Sequence, residues 1–255
     1  MQEEGALTKQ GEMDYLRNIG EAGAEHAANK PFSDAECGVY LVQIGTVMSL
    51  LPPPPARLLD LGCGTGWTSR FLARHGYEVT GVDISADMIA CAERKSREEK
   101  VTNLCFLVQD FESLGFAEEF DCALFFSALH HTEDEEAALR GVYRALKPGG
   151  VCLVSEPGKG HAAAPASRDA VEKYGVTERD MPPSLVVVAG RRAGFGTFHV
   201  FPHPEFMMET IFGEPGYPLL RRLYGFEALR DPIRVVRLLR RLIKKRDSGI
   251  VIMIK

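Results

Sequence analysis

Leu58-Leu59-Asp60-Leu61-Gly62-Cys63-Gly64-Thr65-Gly66 decides how this chain folds. An apolar strand runs straight into three glycines at alternate positions, and a helical stretch, Thr68–His75, follows. Glycine is useful at such a turn because it accepts positive φ and lets a ligand approach the backbone closely. In a strand–turn–helix setting this is the pattern of a nucleotide site. The dinucleotide form G-x-G-x-x-G fits poorly, because position 67 is the bulky Trp67 and Gly66 comes one place early. No Lys-Ser or Lys-Thr follows, which excludes a P-loop. The G-x-S-x-G elbow of serine hydrolases is absent as well.

Working outward, short apolar runs repeat at Arg57–Leu61, Glu78–Val82, Leu104–Gln109, Cys122–Phe126 and Val151–Ser155. Few charges interrupt them, as expected for parallel strands covered on both faces. Helical stretches at Ala86–Lys95 and Glu133–Leu146 alternate with them. Thr132 with Glu135 three residues later forms a capping-box pattern, and Lys147-Pro148-Gly149-Gly150 ends that helix. The alternation predicts an α/β fold with a doubly wound, mostly parallel sheet. Ligands bind such sheets at the carboxyl edge, near the switch in strand order. Two acids fall there. Asp83 ends the second strand, where it can accept both hydroxyls of a ribose, and Asp110 with Phe111 ends the third.

The flanks read differently. Met13–Ala28 and Asp34–Leu51 have helical spacing, Pro31 separates them, and Pro52–Pro55 feeds an extended entry. Phe195–Phe201 and Ile250–Ile254 read as two last strands, paired antiparallel. The division that follows is a helical cover at 1–51, a core at 52–203, a helical insert or cap at 204–247 and a final core strand at 248–255. The insert carries Phe206, Phe212, Tyr217 and Tyr224, which could roof a pocket, as could the N-terminal helices and residues 157–184.

With 255 residues, 45% of them hydrophobic, the chain can bury a sizeable core. Its apolar runs are far shorter than the roughly 18 residues that span a bilayer. An acidic start, MQEEGALTKQ, does not resemble a signal peptide, and the chain reads as cytoplasmic. The six cysteines lack zinc-knuckle spacing and read as reduced core thiols. Residues 201–255 hold 11 Lys/Arg against 6 Asp/Glu, leaving 19 against 29 in the first 200. Such an acidic body argues against a nucleic-acid partner.

These motifs together resemble the class I S-adenosylmethionine-dependent methyltransferases. Asp60–Gly66 resembles their first motif, Val79–Ile89 the second and Asp110-Phe111 the third. Phe120-Asp121 with Ser127–His131, and Leu146–Gly150, resemble the fourth- and fifth-strand signatures. The matching stretch is about 57–156. The resemblance implies a Rossmann-like seven-stranded sheet with S-adenosylmethionine bound and S-adenosylhomocysteine released. It places Asp60, Gly62, Cys63, Gly64 and Gly66 around the methionine end, with Asp60 helping to hold the amino group, directly or through water. Asp83 would take the ribose, Ile84 and Met88 the adenine face, Asp110 the exocyclic amine and Phe111 the ring through its backbone. Ser127 and Leu129 would line the wall near the sulfonium.

Alignment of donor and acceptor supplies most of the rate in such a transfer, with a general base added for hydroxyl or protonated amine acceptors. His130, His131 and Glu156 are the candidates, since they follow strands four and five; each also suits loop bracing. His161 is a weaker candidate, and His199 and His203 read as structural. The expected reaction is methyl transfer to oxygen or nitrogen of a small metabolite. The alternatives are an RNA or protein methyltransferase and a non-catalytic cofactor-binding scaffold. Asn/Asp-Pro-Pro-Tyr/Phe, common in base-amine methyltransferases, is replaced by Ser127-Ala128-Leu129-His130. Residues 233–245 form a basic amphipathic pattern that packs on the domain or meets a membrane surface, and they admit an anionic or lipid-like acceptor.

Overall fold

A computed structural model describes residues 2–204, 236 and 247–255. Three helices lead the chain: α1 (Gln2–Asn18), α2 (Gly20–Ala28) and α3 (Cys37–Leu50). The single helix expected over Met13–Ala28 is broken, because Gly20 adopts φ +73° and forces a turn there. The alternating body follows as β1 (Arg57–Leu61), α4 (Trp67–His75), β2 (Glu78–Asp83), α5 (Ala86–Glu98), β3 (Leu104–Val108), β4 (Phe120–Phe126), α6 (Glu135–Ala145) and β5 (Leu146–Glu156). Then come α7 (Pro165–Tyr174), α8 (Pro183–Ala193), β6 (Thr197–Pro202) and β7 (Gly249–Ile254).

The seven strands lie in the order β3-β2-β1-β4-β5-β7-β6. The pairs among β1 to β5 are parallel, and β7 runs antiparallel to both β5 and β6. Strand order therefore reverses between β1 and β4, which opens a crevice beyond their carboxyl ends. Alternate residues feed two cores. Leu59, Leu61, Phe125 and Val154 pack with Leu139 and Val142 of α6. Leu58, Val79, Leu124 and Leu153 pack with Trp67 and Leu72 of α4 and Ile44 of α3. Each fully buried aliphatic side chain contributes about 1.5–3 kcal/mol, which explains why both faces of the central strands are apolar. At the β3 edge the expected double cover fails: Leu107 and Val108 are exposed, since one side of that strand has no neighbour.

The helix α6 is capped by a different residue from the one expected. Asp134 Oδ1 accepts from the Ala137 amide at 2.9 Å, while the Thr132 hydroxyl donates to Glu112 Oε1 at 2.7 Å. A short 3₁₀ turn at Leu129–His131 uses the preceding residues, so Thr132 stands too early to cap the first helical turn. Lys147–Gly150 does end the helix, and it is absorbed into β5, whose register with β4 shifts between Phe120 and Cys122. Of the cysteines, Cys63, Cys91, Cys122 and Cys152 are buried free thiols, whereas Cys105 is exposed on the edge strand. Apart from positions 204, 236 and 247, the expected insert 204–247, with its aromatics and the basic stretch 233–245, lies outside the described residues. No helix among the described residues is long and apolar enough to cross a membrane.

Candidate active site

The glycine turn is built by sterics on one side and openness on the other. Gly62, Gly64 and Gly66 have φ of +68°, +52° and +73°. A Cβ on Gly62 would sit 2.6 Å from the Ala128 Cβ, and one on Gly66 would sit 2.7 Å from the Phe106 ring. A Cβ on Gly64 would meet nothing within 4 Å. Two glycines thus let the turn pack against its neighbours, and the middle one faces a cavity.

That cavity, of about 300 Å³, lies at the switch point. Gly62, Gly64, Asp83, Ile84, Met88, Asp110, Phe111 and Ser127 all line it, so eight of the eleven expected cofactor residues meet in one place. Cys63 lines an adjoining cavity with Trp67 and Tyr40. Asp83 is fixed from both sides: Oδ2 accepts from the Gly64 amide and Oδ1 from the Ser85 amide, each at 2.9 Å. Each oxygen keeps a lone pair for a ligand hydroxyl. Asp110 Oδ1 accepts from the Glu112 amide at 2.9 Å, and Oδ2 from Lys9 Nζ at 2.7 Å. Ser127, at the end of β4, holds φ +50°, a strained conformation for a residue with a side chain.

Asp60 and Gly66 lie beneath the turn and do not line this cavity, so of the two expected ways for Asp60 to hold the amino group, directly or through water, the buried carboxylate favours the indirect one. Asp60 Oδ2 accepts from the Thr68 and Ser69 hydroxyls at 2.7 and 2.6 Å. Burial nonetheless outweighs both bonds and raises its pKa to about 6. A carboxyl whose pKa is higher folded than unfolded binds its proton more tightly in the native state, so stability falls as pH rises from about 4 to about 6. Asp60→Asn keeps an acceptor for both hydroxyls and removes this cost. The variant is expected to lose that pH slope and to be about 2–3 kcal/mol more stable than the parent at pH 7 without ligand. Urea unfolding across the pH range checks this; an unchanged slope would show that Asp60 is not its source.

His130 and Glu156 also sit behind the cavity wall. His130 Nδ1 is 2.6 Å from Glu156 Oε2, and Glu156 Oε1 accepts from the Ala128 and Leu129 amides at 3.0 and 2.8 Å. Both side chains are at least 95% buried. Burial opposes ionisation of Glu156, but His130 and the two amides outweigh it and hold its pKa below the usual range. Burial pushes the His130 pKa down. The pair braces the loop after β4 and neither member lines the cavity, so of the two expected roles the structure favours bracing over a general base. Leu129, expected at the sulfonium wall, is fully buried in the core.

His131 does line the cavity. Its Nδ1 is 2.7 Å from the Thr177 carbonyl and 3.3 Å from Glu12 Oε1. Burial works against a charge there, but Glu12 and Glu178 prevail and push the pKa up to about 9. A base needs an empty site for the proton, so His131 is unsuited to that task at neutral pH.

The roof comes from two of the segments the sequence offered for it, the N-terminal helices and residues 157–184, although no individual side chain in them stood out. Lys9, Glu12 and Tyr15 from α1 and Val176 and Glu178 after α7 line the cavity. The helix α1 is anchored by Ser85 Oγ donating to the Met13 carbonyl at 2.7 Å and by Glu12 accepting from the Thr177 amide at 2.8 Å. These contacts join residues 72 and 165 positions apart, for which no local pattern exists.

The methyltransferase domain family matches residues 59–154, the stretch from β1 to β5 that carries the turn, both acids and Ser127. Those residues form a class I S-adenosylmethionine-dependent methyltransferase domain. Among curated proteins the methyltransferase domain is similar to YqeM of Bacillus subtilis, 38% identical over 106 residues, 40% of this chain and 42% of that one. It is also similar to a ubiquinone biosynthesis O-methyltransferase of Xanthomonas axonopodis, 35% identical over 116 residues, 45% of this chain and 48% of that one. The chain spans less than half the length of these relatives. Among solved structures, a Mesorhizobium loti methyltransferase has a TM-score of 0.60 at 22% identity, covering 84% of this chain and 98% of that one. Phosphoethanolamine N-methyltransferase 2 of Haemonchus contortus, in complex with S-adenosyl-L-methionine, scores 0.59 at 22% identity, covering 84% and 52%. Likeness at that identity speaks for the fold alone.

Proposed function

We propose that this chain transfers the methyl group of S-adenosylmethionine to an oxygen or nitrogen of a small molecule. One observation carries the reading: Asp83, Asp110 and the open Gly64 share a cavity that continues to Ser127 under the roof of α1. The residues fit the cofactor. Asp83 has one free lone pair on each oxygen for two ribose hydroxyls, Ile84 and Met88 supply an apolar face for adenine, and Asp110 accepts from its amine. When bound, the cofactor supplies an electrophilic methyl on a sulfonium. The chain positions the acceptor, and the roof excludes water from the reacting atoms. Tyr15, His131 and Glu178 are among the polar groups that line the cavity beside the cofactor residues.

The glycines test the fit. Gly64→Ala is expected to cost only about 1–2 kcal/mol of stability, from positive φ, yet to abolish measurable cofactor binding because its methyl enters the cavity. Gly66→Ala, pressed against Phe106 and Ala92, should cost a further 1–3 kcal/mol or so through overpacking. Denaturant unfolding and calorimetry on both variants check this; Gly64→Ala binding like the parent would remove the turn from the cofactor site.

For the acceptor class, the full chain is incubated with methyl-labelled cofactor and separate small-molecule, RNA and protein fractions of a cell extract. Label is expected in the small-molecule fraction, and label confined to RNA or protein would overturn the reading. One similar protein, from Talaromyces variabilis, is named as an S-adenosyl-L-methionine-dependent Diels-Alderase and is 36% identical over 102 residues. Under that second reading cofactor binds and no S-adenosylhomocysteine accumulates.

A further inference from the structure

Behind the loop after β4, His130, His131 and Glu178 each offer one ligand atom, and these atoms lie within 4.8 Å of one another. His130 Nε2 and Glu178 Oε2 are 3.6 Å apart, longer than a hydrogen bond. Two donors bound to one tetrahedral zinc at ~2.0–2.1 Å stand about 3.4 Å from each other. The gap between this imidazole and this carboxylate therefore has the width of a shared cation.

The outer partners of these side chains are those of a metal site. Glu156 accepts two amides on Oε1 and receives His130 Nδ1 on Oε2 at 2.6 Å. As an acceptor it fixes the proton on Nδ1 and leaves Nε2 as a lone pair. His131 Nδ1 stands 2.7 Å from the Thr177 carbonyl, which can only accept, so the neutral ring keeps its proton on Nδ1 and presents the Nε2 lone pair to an ion. Glu178 Oε2 receives His161 Nε2 at 2.5 Å, which steadies the carboxylate. Ligating histidines characteristically donate their second N–H to a carboxylate or a carbonyl in this way.

We propose that His130, His131 and Glu178 bind one divalent transition-metal ion, zinc being the best match to two imidazoles and a carboxylate. His131 and Glu178 line the cavity while His130 stands behind them, so the fourth position opens toward the cavity. This site is distinct from the cofactor residues and does not depend on the methyl-transfer reading.

The test uses the full chain after dialysis against a chelator, titrated with zinc by calorimetry and with cobalt by visible absorption. One ion per chain is expected, with the visible bands of tetrahedral cobalt. Glu178→Gln and His131→Gln should each weaken zinc binding by about tenfold or more. Asp169→Asn, an exposed acid on α7, should leave it unchanged. Melting curves and S-adenosylmethionine affinity in the same samples show whether each variant is folded and report separately on the cofactor site. No saturable zinc or cobalt binding by the parent chain overturns the proposal. So does wild-type affinity in both ligand variants, which would reduce the cluster to an ion-pair network.

Discussion

Asp83→Ala is expected to weaken binding of both S-adenosylmethionine and S-adenosylhomocysteine by roughly a hundredfold. Two charge-assisted hydrogen bonds to the ribose would be lost, each worth roughly 1.5–3 kcal/mol, and the sum is discounted because water refills the site. A second loss compounds the first. Asp83 holds the Gly64 amide at 2.9 Å, so its removal also frees the turn that shapes the cavity. Because both ligands carry the ribose, the variant should not discriminate between them. Asp83→Asn separates the two contributions, since it keeps an acceptor for one amide and loses the charge. Calorimetry with all three proteins checks this; an unchanged dissociation constant for Asp83→Ala would remove it from the ribose site.

The largest effect on stability is expected from Glu156→Ala, at about 3–5 kcal/mol. The carboxylate is 1% exposed and serves three donors. Alanine strands the Ala128 and Leu129 amides and His130 Nδ1, and an unsatisfied buried donor costs about 1–3 kcal/mol. Set against a total of roughly 5–15 kcal/mol, that loss leaves little margin. Glu156→Gln keeps acceptor and shape and should cost far less. The pKa of Glu156 is lower folded than unfolded, so its contribution is present above the ordinary carboxylate range and is lost as pH falls through the folded value. The glutamine variant should therefore show a shallower loss of stability in acid. Denaturant unfolding measures both, and parent-like stability of Glu156→Ala would show that the loop needs no brace.

The parts legible in the sequence are those whose physics is local. Gly62, Gly64 and Gly66 declare a turn because few other residues accept its φ, and Asp83 and Asp110 declare themselves by ending apolar strands. β1 matches its expected span to the residue, because its run lies between the Pro52–Pro55 stretch and Gly62. Direction was harder to read than position. Asp60 lies in the same motif as Gly64, yet it points under the turn toward Thr68 and Ser69, because a side chain on the strand must choose one face of the sheet. His130 and His131 are neighbours in the chain, and only His131 lines the cavity. Their doublet states proximity to the site and says nothing of orientation. The roof was least legible. Lys9 meets Asp110 across 101 positions, and helix periodicity in α1 cannot say which sheet edge it crosses. The cap of α6 failed for a subtler reason: Thr132 and Asp134 are both good N-cap residues, and the 3₁₀ turn before them decides between the two.

Cofactor binding is the claim on which the rest depends, and titration of the full chain with S-adenosylmethionine and S-adenosylhomocysteine by calorimetry tests it most directly. One molecule of either is expected to bind per chain, with NAD showing no saturable heat, because the turn lacks the small residue that a pyrophosphate loop needs at position 67. Saturable binding of NAD with none of either methionine-derived ligand would contradict the account.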